Sequence, residues 1–354
     1  MAADVIDWDL AISTGVRLAP KGPHLNLDDA RGVVKQLRLL ADQAATPVRE
    51  CTGMITPLDA PPAAVVDRRG WIESNVEAFR FVLSPVLDRV RSGGPSAVTE
   101  VGSRVTAVQM GAVLGWLSGK VLGQYEAVVA PGSSPRLMLV APNIVKVAET
   151  LEVDARDFQM WVALHEETHR VQFTAVPWLR DHFSSEIRSM VSAVDVPASE
   201  ILKRARHVMA ALVQVMRGKD GATALLKAVQ TPAQQAVFDR LTALMTLLEG
   251  HADVVMDEVG PSIVPSVALI RQRFDVRRTQ PGALDSIARR LIGMDAKLRQ
   301  YSEGAEFVRE VMTTKGMAGF NEVWESPASL PSLAEIAKPS DWIARVHAPA
   351  VRLA

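Results

Sequence analysis

Trp161–Phe173 reads WVALHEETHRVQF, and the decision about this chain turns on its centre, His165-Glu166-Glu167-Thr168-His169. On a helix the two histidines of an HExxH pattern stand one turn apart on the same face, so both imidazoles reach a single metal ion and Glu166 lies beside it. Zinc held in this way lowers the pKa of its water to about 7, and a neighbouring carboxylate can take the proton as water attacks a carbonyl. The pattern arises by chance in roughly one chain per hundred of this length, so its surroundings have to carry it. Asp154 is placed to cap a helix, Asp157 falls in its first turn, and no Pro or Gly interrupts before Pro177. The apolar run Met160–Leu164 just before the motif indicates a largely buried helix.

A second helix is expected over LMTLLEGHADVVMD, Leu244–Asp257. Thr231, Pro232 and Gln234 supply its N-terminal signals, and Gly260-Pro261 is expected to end it. Leu241, Met245, Glu249, Ala252, Asp253 and Met256 recur at helical spacing, which sets two acids on an apolar stripe. Zinc would satisfy Glu249 as a third ligand, and Asp253 could accept the free N–H of a ligating histidine and fix its tautomer. His251 points to another side of the helix and is expected to support the site without binding the metal. A donor for a developing oxyanion is sought among Tyr301, His182 and Arg273 on residue type alone.

An HExxH followed by a later Glu-x-x-x-Asp resembles the gluzincin zinc metallopeptidases, in which the first acid is a ligand and the second supports a ligand. More closely, VDRRGW, VLGQYE, LVAPNI, HEETHRVQFTAVPWLRD and LLEGHADVVMD are similar to an actinobacterial zincin-like family of zinc-dependent metalloproteases or hydrolases. Part of that family is named for its association with biosynthesis of the deazaflavin coenzyme. The resemblance implies a zincin-like core carrying the HExxH helix. It also implies that an edge strand holds the substrate backbone, a role assigned to RLMLVAP, residues 136–142.

The rest of the sequence bounds this reading. The 354 residues are 48% hydrophobic and 22% charged with net charge −1, an ordinary globular balance that gives no basic surface for nucleic acid. Cys51 is the only cysteine, which excludes an intrachain disulfide and a cysteine zinc cluster; it reads as a small buried thiol. MAADVIDWDL is acidic and has no continuous apolar run, so a cytoplasmic setting is the default expectation. Gly111, Gly115, Gly119 and Gly123 lie at four-residue spacing in a pattern too short to span a bilayer, which predicts a helix approached closely by another backbone.

The fold expected is mainly α with a small β portion near 126–141. It can be divided into a helical region 1–125 and a metal-binding region 126–354, or taken as one continuous domain. Helices are expected at 8–18, 26–49, 71–91, 178–193, 198–217, 222–229, 262–276, 283–314 and 316–325, with a kink threatened at Pro85 and Asn143 capping a short helix. The function expected is zinc-dependent hydrolysis of a peptide or amide, with no nucleic-acid or membrane partner. Two alternatives stand beside it: an interaction protein pinned by a structural zinc, and a carboxylate di-iron bundle built on Glu166-x-x-His169. The latter needs a second Glu-x-x-His, which the sequence lacks.

Overall fold

The structure, a computed structural model, describes residues 5–57, 61–92, 97–130, 132–192, 232–279 and 294–348. The helices expected at 198–217 and 222–229, the Thr231 cap and residues 283–293 lie outside these residues. Helices dominate, as the sequence predicts. They are α1 Trp8–Leu18, α2 Leu27–Thr52, α3 Arg68–Ser92, α4 Ala97–Leu117, α5 Ala141–Leu151, α6 Ala155–Ala175, α7 Leu179–Ser192, α8 Pro232–Ile263, α9 Val267–Thr279, α10 Met294–Asn321, α11 Leu333–Ala337 and α12 Pro339–Val346. Asn26 and Asp154 cap α2 and α6 through side-chain bonds to Asp29 N and Asp157 N, each 2.8 Å.

A three-stranded sheet lies among them in the order β1 (Ala64–Val66), β3 (Leu137–Val140), β2 (Gly123–Tyr125). β1 runs parallel to β3 with Ala64 opposite Met138, and β2 runs antiparallel with Gly123 opposite Leu139. All four residues of β3 are fully buried, because each face of the sheet is covered. Leu137 and Leu139 enter a core with α2, α5, α6, α8 and α10, whereas Met138 and Val140 enter a second core with α1, α3 and α4. This is the period-two alternation of a strand with both faces packed. RLMLVAP is therefore the centre of the sheet and not its edge. The expected division at 125/126 falls between β2 and β3, which are hydrogen-bonded neighbours.

The glycine stripe works as its spacing suggests. A Cβ on Gly111 would lie 2.4 Å from Ala11 O, on Gly115 2.6 Å from Gly15 O, and on Gly119 2.4 Å from Pro20 Cγ. α1 thus rests directly on the backbone of α4. A similar crossing joins α8 to α10, where a Cβ on Gly250 would lie 2.2 Å from Gly304 C.

Several boundaries differ from expectation. α8 continues through Pro261, with Val264 N bonding Gly260 O at 2.8 Å; so near the end of a helix the ring removes one bond, and buried Val259 and Val264 hold the last turn. α3 likewise runs through Pro85. The break expected before residue 316 appears within α10 as Gly316, at φ 71° and ψ 177°. Asn143 does not cap α5. It is buried in the first turn, where its amide donates to Ser118 O (2.7 Å) and Val121 O (2.6 Å) and its oxygen accepts from Arg68 Nε (2.8 Å). It ties down the turn that leads into β2.

Gly115→Ala should lower stability by about 1–3 kcal/mol in denaturant titrations, since the added methyl overlaps the α1 backbone. Gly32→Ala is the control: it meets nothing within 4 Å in α2 and should leave stability unchanged or raise it by up to about 1 kcal/mol.

Candidate metal centre

α6 presents His165 and His169 on one face, with ring centroids 4.7 Å apart. α8 crosses that face and brings Glu249 to it, although 80 residues separate Glu249 from His169 in the sequence. His165 Nε2 and His169 Nε2 are 3.2 Å apart, and Glu249 Oε2 lies 3.6 and 3.8 Å from them. A tetrahedral zinc with bonds of about 2.1 Å requires ligand atoms about 3.4 Å apart, so the three edges bracket the requirement.

The partners of the two Nδ1 atoms agree with a cation on the Nε2 side. His169 Nδ1 is 3.0 Å from Gln172 Oε1, an acceptor, and His165 Nδ1 is 3.2 Å from Met256 Sδ, a weak acceptor. With the protons at Nδ1, both Nε2 lone pairs and a carboxylate oxygen converge on one point. Such a cluster is repulsive without a positive charge at its centre. Among the described residues, these three form the His/Cys/Asp/Glu group able to hold an ion.

Glu166 is buried beside them. Burial raises its carboxyl from 4.5 to about 7, with the His169 charge opposing the rise and Glu249 adding to it. A dication at the centre would pull it back down. Its place depends on Gly123 in β2: a Cβ there would lie 2.5 Å from Glu166 Cγ and Cδ. The fourth glycine of the stripe therefore makes room for the carboxyl rather than for a helix.

β2 also supplies the sheet edge at the site. Val140 N donates to Leu122 O (2.8 Å) and Glu126 N to Arg136 O (3.0 Å), so by the alternation of an antiparallel pair Gly123 turns its own N–H and C=O away from β3. β2, not the central β3, is the edge strand next to the glutamate.

The remaining expected residues distribute as follows. His251 is fully buried behind the site, its Nδ1 3.0 Å from Gln172 Nε2 and its ring against Phe320 and Trp324 at 5.1 and 5.7 Å. Burial, then the His169 charge, lowers its pKa to about 3, so it is a neutral imidazole outside the ligand set. Asp253 is half-buried on α8, one turn beyond Glu249. Glu167 points to the opposite side of α6 and pairs with Arg170 at 2.7 Å. Arg273 is committed to the C-terminus of α5, donating to Leu151 O at 2.6 Å, and His182 lies edge-on to Trp178 at 5.7 Å. The Tyr301 side chain lies outside the described residues. Cys51 is half-buried, and burial followed by the Glu258 charge raises its thiol, the reverse of an activated nucleophile. From the sequence, Gln172 has no expected role, and Gly123 is expected only as part of a stripe approached by another backbone. Gln172 had a signal in its place one turn past His169 on the same face of a buried helix; the signal for Gly123 was its membership of the stripe.

A family model described as zincin-like metallopeptidase matches residues 6–343. The chain belongs to that family. This zincin-like chain is also similar to a crystal structure described as a putative hydrolase with a novel fold from Chloroflexus aurantiacus. The two are 31% identical over 97% of this chain and 99% of that one, with a TM-score of 0.70. No curated protein matches. Membership implies a metal, usually zinc, which the His165, His169 and Glu249 geometry fits. Among the described residues no helix is long and apolar enough to cross a membrane.

The raised pKa of Glu166 has a signed consequence for the metal-free protein. The folded value exceeds the unfolded one, so burial costs nothing from this group below about pH 4.5 and its full penalty, about 3 kcal/mol, above about pH 7. Metal-free Glu166→Gln should therefore match wild type in urea midpoint near pH 4 and exceed it near pH 8. A difference that does not vary with pH would contradict the assignment.

Proposed function

We propose that the chain is a zinc-dependent hydrolase, most simply a metallopeptidase, with His165, His169 and Glu249 as ligands and Glu166 as general base. The observation that carries this reading is the convergence of three ligand atoms beside a buried carboxyl next to the edge strand β2. Bound there, zinc supplies Lewis-acid polarisation of a carbonyl and acidifies water at its open position. Glu166 takes the proton of the attacking water and returns it to the leaving amine. An extended peptide paired with β2 through the Gly123 N–H and C=O would present its backbone next to that carboxyl. Asp253 is proposed to share the His165 Nδ1 proton with Met256 Sδ, a weak acceptor, and Tyr301 to donate to the developing oxyanion. A purely structural ion would use the same ligands but gives no reason to bury an acid at 166 or to hollow out Gly123 for it. A di-iron site would need more carboxylates than converge here among the described residues.

Purified wild type should hold about one zinc per chain, and His165→Ala or His169→Ala should abolish binding. Glu166→Gln should keep the zinc but lower hydrolysis of a casein-like mixture or unstructured peptides by at least ~100-fold, the usual share of a general base. Cleavage at the wild-type rate by Glu166→Gln would sink the mechanism even with zinc bound.

Gly123→Ala tests the space beneath the carboxyl. The three atoms nearest its methyl all belong to Glu166, so zinc content should persist while turnover drops by about 10-fold or more. Unchanged turnover would show that the carboxyl does not need this position.

A further inference from the structure

Gln172 is fully buried between α6 and α8, and each polar atom of its amide has a partner. Nε2 lies 2.9 Å from Leu248 O and 3.0 Å from His251 Nδ1, and Oε1 lies 3.0 Å from His169 Nδ1. The orientation of this amide is decided by chemistry. A backbone carbonyl can only accept, so the NH2 must face Leu248 and the oxygen must face His169. Rotating the amide by a half-turn would set oxygen against the Leu248 carbonyl and N–H against the ring.

Two consequences follow from that one carbonyl. His169 must carry its proton on Nδ1, which leaves the Nε2 lone pair directed at His165 and Glu249. His251 must accept at Nδ1 and carry its proton on Nε2. We infer that Gln172 is a positioning residue that locks His169 in the Nδ1–H tautomer and references that ring to the backbone of α8 at the residue preceding Glu249. A single side chain thus relates ligands on two helices. The effect on zinc rests on the metal-site reading above, whereas the tautomers do not.

The chain's own imidazoles give the first test, with no variant required. In metal-free, full-length, ¹⁵N-labelled protein, two-bond ¹⁵N–¹H correlations should show His169 as the Nδ1–H and His251 as the Nε2–H tautomer; loss of one ring's signals in His169→Asn and the other's in His251→Asn assigns them. An Nε2–H tautomer at His169 overturns the inference. Zinc competition against a chelator then separates positioning from packing. Gln172→Leu, which removes the acceptor, should bind zinc about 10- to 100-fold more weakly. Gln172→Glu keeps an oxygen opposite Nδ1 and should recover most of that affinity. Both lack the N–H for Leu248 O, so both should lose Tm. Affinity that follows Tm in both variants, or wild-type affinity in Gln172→Leu, overturns the positioning role. Should wild type bind no zinc, the metal-site reading fails, and the tautomers of the metal-free protein still decide whether Gln172 sets the ring.

Discussion

α8 is held between α6 and α10 at the level of Glu249, and that placement makes the rest of the site possible. On one side the Gln172 amide reaches across from α6 to Leu248 O at 2.9 Å. On the other, Gly250 meets Gly304 with no room for a Cβ on either residue. The three consecutive residues Leu248, Glu249 and Gly250 therefore have one neighbour fixed by a hydrogen bond and the other by backbone contact. Close-packed helices do not deform continuously. Glu249 can then meet two histidines 80 or more residues away with separations of 3.6 and 3.8 Å, without any local sequence link to them.

The polar groups buried around this crossing are each resolved in a different way. Glu167 has the Arg170 guanidinium at 2.7 Å. Gln172 is saturated by three partners, and His251 gives up its charge. Glu166 is held differently, its carboxyl pushed up to about 7 chiefly by burial. His251 Nε2 stays buried without a hydrogen-bond partner among the described residues, and Glu166 depends on protonation or on a nearby cation, a pattern expected where chemistry, not stability, sets a residue.

The sequence made the metal helix legible because three independent signals coincide in it: the Asp154 cap, the uninterrupted run to Pro177 and the one-turn spacing of the histidines. Glu249 was legible for a related reason, as an acid on an otherwise apolar stripe. The strand in RLMLVAP is legible in the sequence, but its central place in the sheet is not. An apolar run between prolines looks alike at an edge and at a centre, although four consecutive apolar residues imply two covered faces and so favour the centre. Gln172 carries only the weak signal of its place one turn past His169, because the role of a neutral amide is fixed by the donors and acceptors around it. Asn143 suits a helix cap by type, whereas its three bonds to Arg68 and the 118–121 turn depend on contacts distant in sequence. Failures of this kind share a cause, namely that tertiary partners decide the role of a polar side chain whose local preference is weak.

The small sheet gains its meaning from how few of its groups remain free to bind. β3 is clamped between two cores, so β2, bonded along one side to β3, is held rigidly where it passes Glu166. Of the residues in β2, Gln124 bonds inward to β3 by its place in the alternation, and Tyr125 O is taken by Ala127 N at 2.9 Å. Gly123 alone in this strand turns both an N–H and a C=O outward without such a local partner among the described residues. A peptide pairing there, as the proposed function requires, has one residue with which to form a two-bond pair, and that residue lies against the carboxyl proposed as base. A strand too short to offer a choice of register would thus set which peptide bond meets the metal, and the stripe that ends in Gly123 connects this register to the packing of α1 on α4.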